Sequence, residues 1–471
     1  MLKQRFDDRQ TEERSRRLRI LGTVFLLALA IRWAYAFALY AFMGQASLLG
    51  NDSHGYLVNG ERLAAALSAG SAQGWELLGA DPTMMPLFTW LVAINVLIAG
   101  ALAPLCYVLM QGVVDAFCCL LIYGMAETFA LRIALPAAIA AAVNPTQIVL
   151  SGYLYTDTPF LFFVALFLLA SLRWLRAPSW SWALLIGLGL GGATLCRVLV
   201  ASWAPVLLSF LALAAILRNG IRMPLVAQLA AAATLFLIIL APLVMRNATQ
   251  YGAWALTSQS GAHLALWVAP LVKEAQDGTP WAATAHTYQD EVERRFGAPS
   301  KNPFEMSRRF SEVGWEKLIN AGLFALAKTW ATGAFINLAA PALILSPPVM
   351  GLPRTGFYDT PGQSTAEKTV NFLSRSTTSA YTWSALLGVA GVTALRLLQL
   401  AGTFAALRER QWAPLLLLGL WLGFVMAVNG PVVSPKYRLP MEPALAVLTG
   451  AGFCAIRTWL LQRAQRTTPA S

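Results

Sequence analysis

Charge is scarce in this chain. Only 12% of its 471 residues are Asp, Glu, Lys or Arg, against about 25% in soluble domains, which excludes an ordinary water-soluble enzyme. Cysteine and histidine are few: Cys106, Cys118, Cys119, Cys196 and Cys454 all lie in apolar runs, with no CxxC pair and no histidine at metal-ligand spacing. They read as buried thiols rather than a disulfide framework or a metal site. There is no P-loop, no nucleophile elbow and no HExxH, so neither phosphoryl transfer from ATP nor serine-triad hydrolysis is encoded. Internal repeats are absent, which weakens a secondary-transporter reading without removing it. The apolar run from Ile20 to Phe42 has no clear small-residue cleavage site and is too long for a signal-peptide core, so it reads as a retained first span.

What is present is apolar length. Hydrophobic residues make up 57% of the chain, and runs of about 20 of them, the length a bilayer-spanning helix needs, recur from end to end. The expected fold is all-α, a polytopic membrane protein with 11 to 13 transmembrane helices. Spans are expected near 104–126, 130–150, 158–175, twice within 182–217, and near 224–244, 321–345, 381–407, 412–429 and 441–460. Residues 86–100 are apolar but short and suggest a re-entrant or interfacial piece; 55–69 suggests a helix lying on the outer surface.

Basic residues mark the cytoplasmic side of each span. The net charge of +12 includes seven basic against four acidic residues in 1–19, and Arg457, Arg463 and Arg466 follow the last span. Both termini are therefore placed inside, and no nucleic-acid partner is implied. The organisation follows: a basic tail (1–19), an N-terminal membrane module (20–245) carrying a first outer loop (43–103), a main outer loop (246–320), and C-terminal helices with a basic tail (321–471). One parity problem remains, because 246–318 and 346–380 both count as outside with a single apolar stretch, 321–345, between them. That stretch is either a hairpin or conceals another crossing.

Polar groups in a membrane protein are expensive, so where they gather is informative. In this topology Asp52, Tyr56, Glu61, Arg62, Asp157, Arg197, Arg246, His263, Lys436 and Arg438 all fall at or near the outer interface. Two carboxylates among several fixed cations, half in water and half in lipid, suit group transfer from a lipid phosphate: a carboxylate takes the acceptor proton while cations hold the departing phosphate. Asp115, near mid-membrane, needs a partner and is expected to bond to neighbouring helices.

The order Arg32, Asn51-Asp52-Ser53-His54-Gly55-Tyr56, Met85-Pro86-Leu87, Asn144-Pro145, Thr156-Asp157-Thr158-Pro159, Gly192-Ala193-Thr194-Leu195-Cys196-Arg197, Arg246-Asn247 with Tyr251-Gly252, and Pro435-Lys436-Tyr437-Arg438-Leu439-Pro440 resembles the GT-C membrane glycosyltransferases. More closely it resembles their family 39, protein-mannosyltransferase-like bacterial group, over about 20 to 460. The resemblance implies an inverting transferase in the bacterial inner membrane, its site facing the periplasm. It would move a sugar from a polyprenyl-phosphate donor to a glycan, lipid or protein acceptor. Asp52 matches the family's catalytic base and Asp157 a second acidic position, so both are catalytic candidates. Tyr56, Arg62, Arg197, Arg246, His263, Lys436 and Arg438 are the candidates for donor-phosphate or substrate binding. Relatives that modify lipid A carry a Glu-Lys pair where this chain has Met84-Met85. That departure removes a metal ligand and a phosphate-binding lysine, so no cofactor is implied with certainty and a divalent metal stays open.

The residues also admit plainer roles. Asp52 stands where a helix N-cap would, and Thr156-Asp157-Thr158-Pro159 is a good helix start. Arg246, Lys436 and Arg438 are placed to anchor span ends at head groups, and His263 to be a structural histidine. A transporter or flippase of lipid-linked sugars, or a sugar-chain polymerase or ligase, are the alternative functions.

Overall fold

The computed structural model describes residues 2–71, 74–79, 81–353, 367, 370–371 and 380–467, with side chains described between 12 and 465. Most of the stretch 346–380, expected outside, lies beyond the described residues, as do the side chains of residues 2–11 and of Arg466. The described fold is all-helical, as the apolar runs predict. Lipid offers backbone groups no water, so a lone segment satisfies them only as a helix.

The first long helix, α1 (Leu2–Met43), leads to the short α2 (Ser53–Ser68), then α3 (Pro86–Ala99) and α4 (Ala103–Phe129). Gly100, at φ 52°, turns the chain between the last two. The Phe88 ring lies 5.3 Å from Tyr107, and Asn95 reaches Met110, so α3 folds back along α4 as the short 86–100 run suggested. Its 14 residues reach about 21 Å at 1.5 Å per residue, short of a bilayer core of about 30 Å.

The next span is broken: α5 (Leu131–Ala142) and α6 (Pro145–Ser151) meet at 45°. Pro145 lacks an N–H and disfavours helix at the residue before it. Asn144 instead caps α6, its side chain accepting from the Thr146 N–H. Helices α7 (Asp157–Arg176), α8 (Trp180–Cys196), α9 (Val200–Asn219) and α10 (Met223–Tyr251) follow. Glycines let α8 touch its neighbours' backbones: a Cβ on Gly187 would lie 2.5 Å from the Ala232 carbonyl, and one on Gly189 2.9 Å from the Phe167 nitrogen. Small residues serve this purpose wherever membrane helices approach closely.

The long polar region expected after α10 folds into a helical cap: α11 (Gln259–His263), α12 (Ala269–Asp277), α13 (Trp281–Phe296) and α14 (Pro303–Ala321). Val268, Val272, Val292, Val313 and Leu318 form its own small core. Then come α15 (Leu323–Ala339), α16 (Pro347–Met350), α17 (Ala380–Arg408), α18 (Trp412–Asn429) and α19 (Glu442–Thr467).

The parity problem is resolved by α15. Gln276 of α12 bonds the Ala321 carbonyl just before it. Trp330 bonds Ala427 near the end of α18, Asn337 brackets Val432 and Ser434, and the following turn meets Tyr35 and Tyr153 through Ser346 and Leu345. Both ends of α15 therefore stay on the side of the helical cap, so it is embedded without crossing. Eight described helices are long and apolar enough to cross, nine with the bent α5–α6 pair, and α8, like α15, is apolar but only 17 residues long. The sequence count of 11 to 13 takes in α15, which is apolar but turns back, while the 86–100 run already read as re-entrant or interfacial.

At the end remote from the cap, charges from separate helices meet. Glu127 pairs with Arg17 at 2.7 Å and with Arg173, and Arg132 pairs with Glu409. Arg17 belongs to the basic tail that the sequence places inside, so this end is the one expected to be cytoplasmic.

Candidate functional site

On the cap side the chain approaches itself across about a hundred residues. The Leu154 N–H donates to the Leu48 carbonyl, and the Ser53 hydroxyl donates to the Leu154 carbonyl while accepting from the Gly50 N–H. A Cβ on Gly50 would sit 1.8 Å from the Tyr155 hydroxyl, so glycine leaves the room in which the Tyr155 ring lies against this segment. This tie sets the first residues of α2 beside the start of α7.

Asp52 occupies the N-cap position of α2 and makes no capping bond; its backbone is already helical, at φ −81° and ψ −16°. Its carboxylate instead lies 2.5 Å from the Lys436 ammonium, 384 residues later. The Asp52 side chain is 55% exposed and that of Lys436 15%, so one side of this pair faces water. Asp157, the first residue of α7, is 1% exposed. Its Oδ1 pairs with Arg197 at 2.9 Å, while its Oδ2 has no hydrogen-bond donor and lies 3.7 Å from Lys436.

The two cations are held from below. Arg197 ends α8, where its N–H caps the Ala193 carbonyl; its Nε donates to the Thr156 hydroxyl and its guanidinium lies 5.5 Å over Phe160. Lys436 sits in a short 3-10 turn (Pro435–Met441) whose entry Ser434 caps, and its ammonium is 4.0 Å over the Tyr155 ring. Asp52, Lys436, Asp157 and Arg197 thus form a chain of alternating charge with no net charge. Tyr56, one turn after Asp52, packs its ring edge on Phe88 at 4.6 Å. Burial pushes its phenol above the ordinary value, with Arg197 and Lys436 pulling it partly back, so it stays a proton donor.

The other sequence candidates lie elsewhere. Arg438, two residues from Lys436, is 2% exposed and committed. It bonds Glu442 at 2.8 Å, the Asn337, Leu338 and Ala340 carbonyls and the Thr146 hydroxyl, while Asn144 bonds the same Glu442. It ties the α5–α6 break to the end of α15. Arg246, also buried, holds the Leu78 and Gly79 carbonyls and the Asn247 side chain, leaving one guanidinium nitrogen without a partner. His263 is exposed on α11, and Arg62 is exposed on α2; no described contact joins either to the charge chain. Apolar surroundings lower the His263 pKa.

Tyr155 is the residue that the sequence reading passed over; its only signal was an aromatic directly before Thr156-Asp157. Arg32 and Asp115 meet at 2.7 Å, and Asp115 also accepts from Gln147 at 2.8 Å. Arg32 donates onward to the Ala141 and Ala142 carbonyls at the helix break. Asp115 therefore bonds to neighbouring helices, as expected.

The donor set does not suit a divalent metal. Asp52 and Asp157 flank an ammonium, and among the described residues no three His, Cys, Asp or Glu side chains are grouped to hold an ion. At the Met84-Met85 position, the Met84 sulfur accepts from Asn59 and Met85 is buried, so thioethers fill that ground.

Residues 81–245 match the family model described as dolichyl-phosphate-mannose-protein mannosyltransferase. No curated protein matches the chain by sequence. Among solved structures, the apo oligosaccharyltransferase of Archaeoglobus fulgidus superposes with a TM-score of 0.52 at 17% identity, covering 95% of this chain and 51% of that one. The AglB oligosaccharyltransferase of the same organism, in complex with an inhibitory peptide and a dolichol-phosphate, gives 0.52 at 16%, covering 96% and 52%. The apo ArnT of Cupriavidus metallidurans gives 0.36 at 16%, covering 95% and 81%. The chain spans about half the length of the archaeal enzymes it matches. The fold is shared with the archaeal oligosaccharyltransferases, and the mannosyltransferase likeness noted in the motifs is matched over residues 81–245.

Proposed function

We propose that this chain is an inverting glycosyltransferase that moves a sugar from a polyprenyl-phosphate donor to an acceptor hydroxyl on the cap side of the membrane. The observation that carries the reading is that Asp52 leaves a helix end uncapped to pair with Lys436 beside the buried Asp157. A negative phosphate entering the charge chain competes with Asp52 for the ammonium. Lys436 then turns to the phosphate, and the Asp52 carboxylate is released as a base. The acceptor oxygen forms its bond to the anomeric carbon as its proton passes to Asp52. The bond from that carbon to the phosphate oxygen breaks, the electron pair stays on the phosphate, and Lys436 and Arg197 balance its charge. Asp157 keeps both cations in place, and no step requires a metal.

The arginines gathered at the opposite end support a cytoplasmic assignment for that end and a periplasmic one for the site, in a bacterial inner membrane. The Archaeoglobus AglB was solved with a dolichol-phosphate, which supports a lipid-phosphate donor here. Purified protein would be given a panel of polyprenyl-phosphate sugars and scored for release of free polyprenyl phosphate. Wild type should consume one donor, and Asp52→Asn should bind it yet fail to turn it over. Near-normal turnover by that variant would overturn the assignment. Movement of labelled lipid across vesicles without a new glycosidic bond would favour a flippase.

A further inference from the structure

The arginines at the end remote from the site are unevenly used. Arg17 and Arg173 share Glu127, and Arg132 has Glu409. Arg176, Arg218 and Arg410 differ: among the described residues no carboxylate pairs with any of them, yet all three line one cavity of about 350 Å³. It opens between the ends of α4, α7 and α9 and the turn from α17 to α18.

Two further features mark this cavity. Arg410 stands at φ 57°, the only non-glycine residue in the left-handed region among those described. The position closes α17, with the Arg410 and Gln411 N–H groups bonding the Leu407 and Ala406 carbonyls. Glycine is the usual occupant of such a position and would carry no steric penalty there. An arginine kept there at a cost in strain puts a cation in the cavity lining that glycine would not supply. The second feature is the lining: Leu172, Leu175 and Pro414 supply an apolar wall, and Trp412 an exposed indole. Tryptophan at a span end marks head-group depth.

We infer that this cavity binds the phosphate of an anionic phospholipid of the facing leaflet, its acyl chain running down the apolar wall. Three cations without counter-ions, at head-group depth and between helix ends, recognise a lipid phosphate. Arg218 also donates to the Leu175 carbonyl at 2.8 Å, which fixes its position at the end of α7. Nothing in this inference depends on the transferase reading; it rests on the membrane topology alone.

The test uses the full chain in neutral detergent. Its melting temperature is followed as phosphatidylglycerol, phosphatidylcholine of the same acyl chains, or inorganic phosphate is added. Phosphatidylglycerol should raise the melting temperature in a saturable, salt-sensitive way, and the other two should not. Each arginine removed should weaken the lipid effect about fivefold, so Arg176→Gln/Arg410→Gln should need about 25-fold more lipid. Arg410→Gly separates binding from folding. Relief of the left-handed strain should leave the lipid-free melting temperature level or higher, while the response to phosphatidylglycerol falls. Equal responses to the two lipids, an equal effect of inorganic phosphate, or an undiminished response in Arg410→Gly would each overturn the inference.

Discussion

Lysine 436 is the point at which the reading is most exposed to test. Its ammonium lies 2.5 Å from the half-exposed Asp52 and 3.7 Å from the buried Asp157, where a bridging divalent cation would otherwise have to stand. Truncation to alanine acts differently on the two arms. The Asp52 pair is open to water and contributes about 0–1 kcal/mol. Asp157 is 1% exposed and its Oδ2 has no other donor; stripping a partner from a buried charge costs about 3–5 kcal/mol. Arg197 still holds the other oxygen at 2.9 Å, so a cost near the lower end, about 3 kcal/mol, is expected. Losing a cation that meets the departing phosphate costs turnover about 10²–10³-fold. The assay pairs donor consumption with Mn²⁺ binding followed by electron paramagnetic resonance. Wild-type turnover should be indifferent to EDTA, and wild type should not bind Mn²⁺. Lys436→Ala should lose turnover by the factor given and should now bind Mn²⁺ between the two vacated carboxylates, an affinity removed again in Lys436→Ala/Asp157→Asn. Loss of wild-type turnover on chelation, restored by a divalent ion, would refute the argument that the ammonium holds the cation position.

Three further outcomes follow from the same geometry. Gly50→Ala should drive Tyr155 and the 48–53 segment apart, since its Cβ would meet the tyrosine hydroxyl at 1.8 Å; a large fall in turnover with circular dichroism unchanged is expected, and normal turnover would contradict the close approach. Arg438→Met should destabilise by about 3–5 kcal/mol by stranding Glu442, and Arg438→Met/Glu442→Leu should recover part of it; a greater loss in the double variant, read by thermal unfolding, would count against a structural ion pair. His263 is exposed at its edge, yet the groups packed around it desolvate the ring enough to lower its pKa, so the unfolded chain binds the proton more readily. Its stabilising contribution is complete above about pH 6.5 and is lost as pH falls through the folded-state value. His263→Gln should flatten the melting temperature below that pH, and an unchanged slope would show that His263 does not titrate with folding.

The sequence was enough for an all-helical membrane fold, and it named four charged residues, Asp52, Asp157, Arg197 and Lys436, without the partners each would meet. Apolar runs had to become helices because lipid leaves the backbone no other way to satisfy itself, and the arginine distribution sorted their ends. One apolar run was illegible on those terms: α15 has the composition of a span, and only Trp330 on Ala427 and Asn337 on Val432 show that it turns back, whereas the short run of α3 already read as re-entrant. The site divides in the same way. Asp52, Asp157, Arg197 and Lys436 could each be named, yet so could Arg246 and Arg438, whose local sequences look equally suited to a phosphate. Sequence fixes where a charge stands on its helix and says nothing of which group comes to meet it. Asp52 and Lys436 are 384 residues apart, and whether Asp52 capped its helix or faced an ammonium was decided by the packing of α2, α7 and the turn before α19. Arg438 met Glu442 and three carbonyls left open by the end of α15, and there its charge is spent. A buried charge takes whichever partner the tertiary structure brings within reach, because leaving it unpaired costs more than any local preference can return.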